Sequence, residues 1–488
     1  MNDSKVAPRK VIPIRPAPGF APHAAPRDPG DQTVWLYEAH QKIHPRSVSG
    51  RFTNWRWALV FLTQLVFYGL PWLQWGQRQA VLFDLGARRF YIFNLVLYPQ
   101  DFIYLTGILV ISALSLFLFT AVAGRLWCGY ACPQTVYTEM FLWIEKKFEG
   151  DRSARLRREA ARLSADKLLR KGGKHLVWLS VAGWTGFTFV SYFTPLRDLG
   201  GELLQWHMSS WEVFWTVFYG VATYLNAGFM REQVCKHMCP YARFQSAMFD
   251  HDTLVVTYDA PRGEPRGARS RSADPVALNL GACVDCTLCV QVCPTGIDIR
   301  KGLQYECIGC GACADVCDAV MDKMGYARGL VKYSTQNAIS QRWSAAQTLR
   351  HVLRPRVLVY SAILGTVVLV MAISLAVRTP FRVDVVRDRG ALARIVAGGK
   401  IENVFRLQVM NATESTQHYR LSVSGLAGLA VDSDSLVEVG ATESRWIAVR
   451  VQLPFEGAVP GSHTIHFEIE AVDSSARVSE KSVFLVPR

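Results

Sequence analysis

Twelve cysteines, all between residues 128 and 317, are the residues of this chain best suited to chemistry. Eight of them form two runs, CVDCTLCVQVCP at 283–294 and CIGCGACADVCD at 307–318, each with the spacing C-x2-C-x2-C-x3-C. This spacing binds two [4Fe–4S] clusters in bacterial-type ferredoxins, where the fourth cysteine of each run ligates the cluster of the other run. The sequence therefore predicts two [4Fe–4S] clusters.

The ligand sets follow from this exchange of fourth cysteines. They are Cys283, Cys286, Cys289 and Cys317 for the first cluster, and Cys293, Cys307, Cys310 and Cys313 for the second. A pair of zinc knuckles is the alternative, but the two evenly spaced runs contain no histidine that could be a ligand. One departure is that Cys317 is followed by Asp318 and not by proline. If this carboxylate faces the first cluster, its charge should lower the reduction potential.

The other four cysteines form two matched pairs with the spacing C-x3-C-P. Cys128 and Cys132 lie in RLWCGYACPQ, and Cys235 and Cys239 lie in EQVCKHMCPY. Four residues make about one helical turn, so the thiols of each pair can face one side, about 5–6 Å apart. Because a proline disfavours helix at the residue before it, each pair should lie at a helix end. There the four thiols could converge.

Three interpretations of these pairs are open. The thiols are small buried residues with a structural role, or they bind a third iron–sulfur or other metal centre, or they form a redox-active site that reduces a soft metal. Copper suits the last, which we favour, because thiolates prefer Cu(I). His237 and Met238, inside the second pair, are candidate ligands for Cu(II) and Cu(I), although both could equally belong to a helix surface or core.

The elements that must position these cysteines are predicted to cross a membrane. Five stretches are apolar over about the 20 residues that a bilayer requires. They are 57–75, 102–123, 175–194, 211–230 and 357–377. The third and fourth contain more Gly, Ser and Thr, so a buried amphipathic role is an alternative for them.

The distribution of basic residues predicts the orientation of these spans. The chain has a net charge of +14, and segment 124–174 contains twelve Lys and Arg residues where 76–101 contains three. The positive-inside rule then places the N-terminus, 124–174 and 231–356 in the cytoplasm and residues after 380 in the periplasm. Topology and membrane lipid with anionic headgroups account for the basic charge, so no nucleic-acid partner is expected.

The expected fold is multi-domain: an α-helical membrane domain of about five spans, an inserted ferredoxin domain and a C-terminal immunoglobulin-like β-sandwich. Stretches such as FRLQVMN and HTIHFEIEAV alternate apolar and polar residues with period two, as strands do. His463 and His466 are interpreted as strand residues. The predicted units are a disordered tail 1–50, a four-span domain 56–240 with both C-x3-C-P pairs, a cytoplasmic ferredoxin-like domain 241–350, a fifth helix 357–377 and a periplasmic domain 381–488.

These features together resemble the FixG/RdxA/CcoG family of polyferredoxin-like accessory proteins. The resemblance covers nearly the whole chain and includes QAVLFDLGARRFYIFNLVLYPQDFIYLTG at 79–107 and GRLWCGYACPQTVYTEMF at 124–141. It implies a role in assembly of cbb3-type cytochrome oxidase, with oxidase assembly and copper-handling factors as partners. A cupric reductase activity is also implied by the resemblance and not by any residue spacing.

The predicted function is electron transfer in the inner membrane. An unidentified donor would reduce the two clusters, and Cu(II) would become Cu(I) at Cys128, Cys132, Cys235 and Cys239. One alternative is an electron conduit between the quinone pool and a cytoplasmic partner, with YIFNLVLYPQDF either lining a quinol pocket or, as we favour, forming an interfacial aromatic belt. A second alternative is a non-enzymatic scaffold that docks the oxidase through its β-sandwich.

Overall fold

The computed structural model describes residues 42–388, 390, 393–456 and 458–487. The greater part of the predicted disordered tail, residues 1–41, therefore lies outside the described residues. The α-helices are α1 (Arg51–Gly69), α2 (Phe102–Ala123), α3 (Leu126–Tyr130), α4 (Pro133–Glu149), α5 (Arg152–Ala160), α6 (Ala165–Val190), α7 (Leu196–Gln205), α8 (Ser210–Leu225), α9 (Pro240–Met248), α10 (Ala260–Gly263), α11 (Leu288–Gln291), α12 (Ala312–Met324), α13 (Gln336–Ser340), α14 (Ala345–Val352) and α15 (Pro355–Ala376).

The strands form small sheets between the helices and two larger sheets at the C-terminal end. They are β1 (Gln74–Trp75), β2 (Arg78–Gln79), β3 (Val81–Asp84), β4 (Arg89–Ile92), β5 (Leu95–Leu97), β6 (Val255–Tyr258), β7 (Val331–Ser334), β8 (Phe381–Arg387), β9 (Arg394–Val396), β10 (Lys400–Asn411), β11 (Gln417–Ser424), β12 (Ala430–Val431), β13 (Leu436–Val439), β14 (Ser444–Pro454), β15 (Gly461–Ala471) and β16 (Arg477–Val486).

Helices α2 and α15 form an antiparallel pair that can cross a bilayer. Each has 22 residues, about 33 Å of helix, which matches the hydrocarbon thickness of a membrane. Near one end of the pair the Tyr104 hydroxyl lies 3.1 Å from the Ser374 hydroxyl. Among the described residues, these two helices (the first counted from Pro99) have the length and composition of membrane spans.

The other three predicted spans are also helical, at α1, α6 and α8. They are less regular or more polar than α2 and α15. Helix α6 begins with the basic sequence ADKLLRKGGK, and α8 ends at Leu225 and continues as a π-helical turn, Asn226–Met230. The five-span membrane domain is thus not confirmed, whereas two candidate spans are present.

The ferredoxin unit lies at the end of the helix pair formed by Ala123 and Pro355. Strands β6 and β7 pair antiparallel and support the cysteine loops and α12. The Leu254 N–H donates to the carbonyl of Val122 (3.1 Å), and the Arg354 guanidinium donates to the carbonyl of Ala121 (2.6 Å). These bonds fix the unit to the last turn of α2.

The C-terminal residues form the predicted immunoglobulin-like sandwich. One sheet has the order β12-β14-β10-β8, with β9 also pairing with β10, and the other has the order β13-β11-β15-β16. Alternate residues of the two sheets fill one core, in which Phe405, Phe467 and Phe484 are fully buried. His463 and His466 are residues of β15, as expected.

The sandwich is attached at the opposite end of the α2–α15 pair. There the small sheet β3-β4-β5 packs its Leu82, Tyr91 and Tyr98 against Met410 of the sandwich. The tyrosines are only 6% and 3% exposed. These two tyrosines are covered by protein, whereas Phe93 and Phe102 of the same stretch are 39% and 66% exposed, so the interfacial aromatic belt stays a prediction.

Residues 42–50 differ from the predicted disordered tail because they make specific contacts. The Arg46 N–H donates to the Gln291 carbonyl (2.8 Å), and the Ser47 N–H donates to Asp151 (2.9 Å). The segment leads into α1, where the Phe52 and Thr53 N–H groups donate to Asp315 of α12 (3.0 and 2.7 Å). It thereby links the ferredoxin unit to α1 and α5. The tail prediction failed here because these contacts join residues more than 100 positions apart.

Candidate iron–sulfur and thiol site

The eight cysteines of the two ferredoxin runs lie around two neighbouring cavities. Cys283, Cys286, Cys289 and Cys317 line one cavity. Cys293, Cys307, Cys310 and Cys313 line the other, and Cys289 borders it as well. Each cavity thus receives one cysteine from the other run, which is the arrangement that the predicted ligand exchange requires.

Left-handed residues shape the loops around these cavities. Asp285 and Thr287 have φ values of 51° and 57°, and Gly309 and Gly311 have values of 65° and 74°. Such conformations turn the short loops between cysteines back on themselves. In the second loop this brings the Gly309 N–H to 3.4 Å from the sulfur of Cys307, as expected for backbone donors that tune a cluster.

The chemistry of the two cavities fits iron–sulfur clusters. Burial raises the pKa of Cys289 to about 11 and that of Cys307 to about 12. Thiolates at these positions need nearby cations, which the irons of a cluster would supply. In the part of the chain that the structure describes, no three His, Cys, Asp or Glu side chains are gathered tightly enough to hold a single metal ion. The cysteines instead surround cavities.

Asp318 follows Cys317 at the position where proline follows Cys293, and its carboxylate acts on two groups. Its carboxylate accepts a hydrogen bond from the Gly329 N–H (2.8 Å). Burial raises the pKa of Cys317 to about 12, and the neighbouring cysteines and then the charge of Asp318 raise it further in the same direction. The carboxylate is therefore fixed by the backbone while its charge still reaches a predicted ligand.

Each C-x3-C-P pair spans a break between two helical segments. Cys128 lies in α3, and Cys132 precedes α4, where Pro133 is the first residue. Cys235 lies in a π-helical turn, Val234–Met238, and Cys239 precedes α9. The predicted position at helix ends is correct. The prediction that one helical turn presents both thiols of the first pair is wrong, because α3 ends at Tyr130.

The four thiols of the two pairs lie near one another. Burial raises the pKa of Cys235 to about 12, and the next contributions come from Cys132, Cys128 and Cys239. Burial likewise raises the pKa of Cys128 to about 11, where Cys132 and Cys239 contribute in the same direction. These groups are close enough to interact electrostatically. The Gln245 amide, which is fully buried, donates to the sulfur of Cys128 (3.4 Å).

The thiol pairs lie directly against the loop of the second ligand set. A Cβ on Gly129 would lie 2.8 Å from the carbonyl oxygens of Ile308 and Gly309 and 3.0 Å from the Cα of Cys310. Only glycine permits this backbone-to-backbone approach. The Arg125 guanidinium donates to the Cys307 carbonyl (3.2 Å) across the same contact.

Sequence reasoning did not identify Gly129, Arg125 or Gln245. A glycine next to a cysteine in both WCGY and CIGC was the available signal for the close approach. Nothing in the local sequence indicated that these two stretches meet. His237 and Met238, the candidate copper ligands, are exposed at the surface beside Cys235 and Cys239.

Family models match three parts of the chain. A 4Fe-4S dicluster domain matches residues 230–336, and a 4Fe-4S binding domain matches residues 105–150. An IG-like fold at the C-terminal of FixG matches residues 371–487. Fold and site therefore define an iron–sulfur electron-transfer protein that carries an immunoglobulin-like domain and two helices suited to a membrane.

Similar proteins identify the family. The chain is 36% identical to the nitrogen fixation protein FixG of Rhizobium meliloti, covering 85% of this chain and 87% of that protein. It is 36% identical to protein RdxB of Cereibacter sphaeroides (93% and 98% covered) and 38% identical to protein RdxA of the same organism (81% and 84% covered). The chain belongs to the FixG/RdxA/RdxB family.

Proposed function

We propose that this protein passes electrons from its two iron–sulfur clusters to the four thiols of the C-x3-C-P pairs, where Cu(II) is reduced to Cu(I). The observation that supports this is the position of Cys128 and Cys235. Both pack against the apolar cluster that contains Cys310 and Cys313 of the second ligand set. When bound, the clusters supply one-electron transfer.

The residues around the thiols suit a copper substrate. Thiolates stabilise Cu(I) over Cu(II), so reduction of bound copper is favourable there. Exposed His237 and Met238 provide a route between solvent and the partly buried cysteines. Arg125 and Gln245 place donors next to the thiols, and these partly offset the cost of a negative charge in an apolar setting. Each Cu(II) takes up one electron from the reduced protein and leaves as Cu(I).

The proposal includes a multi-pass position in the inner membrane, with α1, α6 and α8 also crossing. Large apolar side chains cover outward faces of these helices, among them Phe61 and Leu65 of α1 and Phe214 and Phe218 of α8. The ferredoxin unit and the sandwich are attached to opposite ends of the α2–α15 pair, which supports placing them on opposite sides of the membrane. The charge distribution then favours a cytoplasmic ferredoxin unit, a cytoplasmic N-terminus and a periplasmic sandwich.

The physiological role proposed is assembly of a cbb3-type cytochrome oxidase. It rests on the resemblance to the FixG/RdxA/CcoG family. Partners would be oxidase assembly and copper-handling factors, an electron donor and membrane lipid.

A second candidate function for the thiol pairs has its own support. A 4Fe-4S binding model matches residues 105–150, and this stretch contains two cysteines, Cys128 and Cys132. Four neighbouring, partly buried thiols could bind a third cluster, which would extend the electron path and not reduce copper directly.

Paired substitutions test both candidates in the full-length protein purified anaerobically. Cys128→Ser with Cys132→Ser should abolish reduction of Cu(II) by the dithionite-reduced protein, because serine is a harder and far less acidic ligand. Iron and acid-labile sulfide should remain at about eight each per chain. Copper reduction follows from the absorbance of a Cu(I)-specific chelator.

The controls separate electron supply from the copper site. Cys310→Ser should lower iron content and prevent normal electron uptake, a different defect from that of the pair variant. A loss of about four irons in the pair variant would establish the third cluster instead. Unchanged copper reduction after replacement of all four pair cysteines would exclude the proposed function.

A further inference from the structure

A cavity of about 120 Å³ lies between residues 45–48, α1, α4 and the ferredoxin unit. Its volume is similar to that of apolar protein cavities that hold one six-membered ring. Residues that line it and could recognise a ligand are Arg56, Trp57, Glu139, Trp143, Lys146 and Arg155. The cavity is separate from the cysteine-lined cavities and from the thiol pairs.

The polar groups of this cavity include both donors and an acceptor. The Arg56 guanidinium, 5% exposed, donates to the Glu139 carboxylate (2.7 Å). Arg155 is 4% exposed, and its guanidinium donates to the Glu145 carboxylate (2.9 Å) and to the Pro45 carbonyl. The lining of the cavity thus combines fixed guanidinium groups with one carboxylate acceptor.

The position of the cavity connects it to both the membrane and the second ligand set. Val292 and Pro294, on either side of Cys293, form part of its wall, as does Ala312 next to Cys313. On the other side, the rings of Trp57 and Trp143 meet edge to face with centroids 6.4 Å apart, and Trp143 is 50% exposed. Tryptophan at such a position is typical of the membrane–water interface.

We propose that this cavity binds the ring of a membrane hydroquinone, the electron donor of the protein. A tryptophan of the lining would contact the ring, the Arg56 guanidinium or Lys146 would donate to a ring oxygen, and Glu139 would accept from a ring hydroxyl. The inference rests on the proposed function for its acceptor. One hydroquinone becomes a quinone, loses two protons to water and two electrons to the protein, and thereby allows two Cu(II) to become two Cu(I).

Binding to the intact protein, measured anaerobically by equilibrium dialysis, tests the site. The probes are duroquinol, a hydroquinone with a single, fully methylated ring, and its oxidised form, duroquinone. Glu139→Gln should weaken duroquinol binding by about tenfold, because a charge-assisted acceptor is lost. Duroquinone binding should persist, because the oxidised ring has carbonyl oxygens and no hydroxyl to donate to Glu139. Leu142→Trp, which fills the cavity, should weaken binding of both forms.

Two variants are matched controls that lie outside the cavity lining. Glu438→Gln makes the same charge change at an exposed residue of the sandwich, and Leu156→Trp repeats the bulky substitution at an exposed leucine. Both should bind duroquinol and duroquinone as the parent protein does. Equal effects of Glu139→Gln on the two probes, or none from Leu142→Trp, would overturn the proposal, as would displacement of duroquinol by inorganic phosphate.

This test is independent of the test of copper reduction. Dithionite supplies electrons without a quinone, so a failure of duroquinol binding with intact copper reduction would remove only the donor site. Loss of copper reduction with intact, selective duroquinol binding would remove only the copper site.

Discussion

The two folded units at opposite ends of the α2–α15 pair are built and attached in different ways. The core of the ferredoxin unit includes Cys283 and Cys289, residues predicted to ligate a cluster. The core of the sandwich consists of hydrocarbon and aromatic side chains from both sheets, and residues 381–488 contain no cysteine. One core therefore depends on a cofactor, and the other depends on apolar burial.

The attachments differ as well. The ferredoxin unit meets α3 through a close backbone contact at Gly129 and packs against the partly buried Cys128 and Cys235. The sandwich is joined to the start of α2 by ion pairs. The Asp101 carboxylate, 2% exposed, accepts from Arg378 (2.5 Å) and Arg382 (3.1 Å). Close packing suits the proposed electron path, whereas ion pairs suit the orientation of a domain. This contrast leads to three predictions.

Removal of iron should have the largest effect and should affect only the ferredoxin unit. Without clusters the buried thiols lose their cations, and metal-binding free energy is folding free energy in such sites. Hydrogen exchange measured by mass spectrometry should show residues 283–317 losing protection while β10 and β15 keep theirs. Loss of protection in both units would show that the two cores are not independent.

Truncation of the sandwich core should produce the converse result. Phe405→Ala should lower the free energy of unfolding of the sandwich by about 3–5 kcal/mol, because Phe405 is fully buried. Iron content should remain that of the parent protein. Denaturant unfolding gives the free energy, and Phe455→Ala, at a residue that is 54% exposed, is the control with little expected effect.

Neutralising the Asp101 carboxylate should have the smallest effect of the three changes. Asp101→Asn should weaken the attachment of the sandwich by about 2 kcal/mol, because two arginines lose a charged acceptor. Limited proteolysis between α15 and β8 should become faster, with copper reduction unchanged. Asp84→Asn is the comparison, since Asp84 accepts from Ala87 within a local turn (2.7 Å). Equal cleavage of both variants would contradict an orienting role for Asp101.

Local patterns in the sequence determined the units of this protein. The cysteine spacing within each run predicted which cysteines share a cavity, because the short loops between ligands leave few other arrangements. The period-two alternation predicted the sandwich because each strand must bury one face. The helical character of all five apolar stretches was also predictable. Their number as membrane spans was not, since composition alone does not tell whether a moderately apolar helix faces lipid or protein.

The contacts between units were decided only by the tertiary structure. Arg125 and Cys307 are 182 residues apart in the chain, and Asp101 and Arg378 are 277 apart. Residues 42–50 found partners at similar separations, which is why their predicted disorder was wrong. Periodicity and spacing report on neighbours in sequence. Which unit covers a given face depends on the packing of whole domains, and that information is spread over the chain.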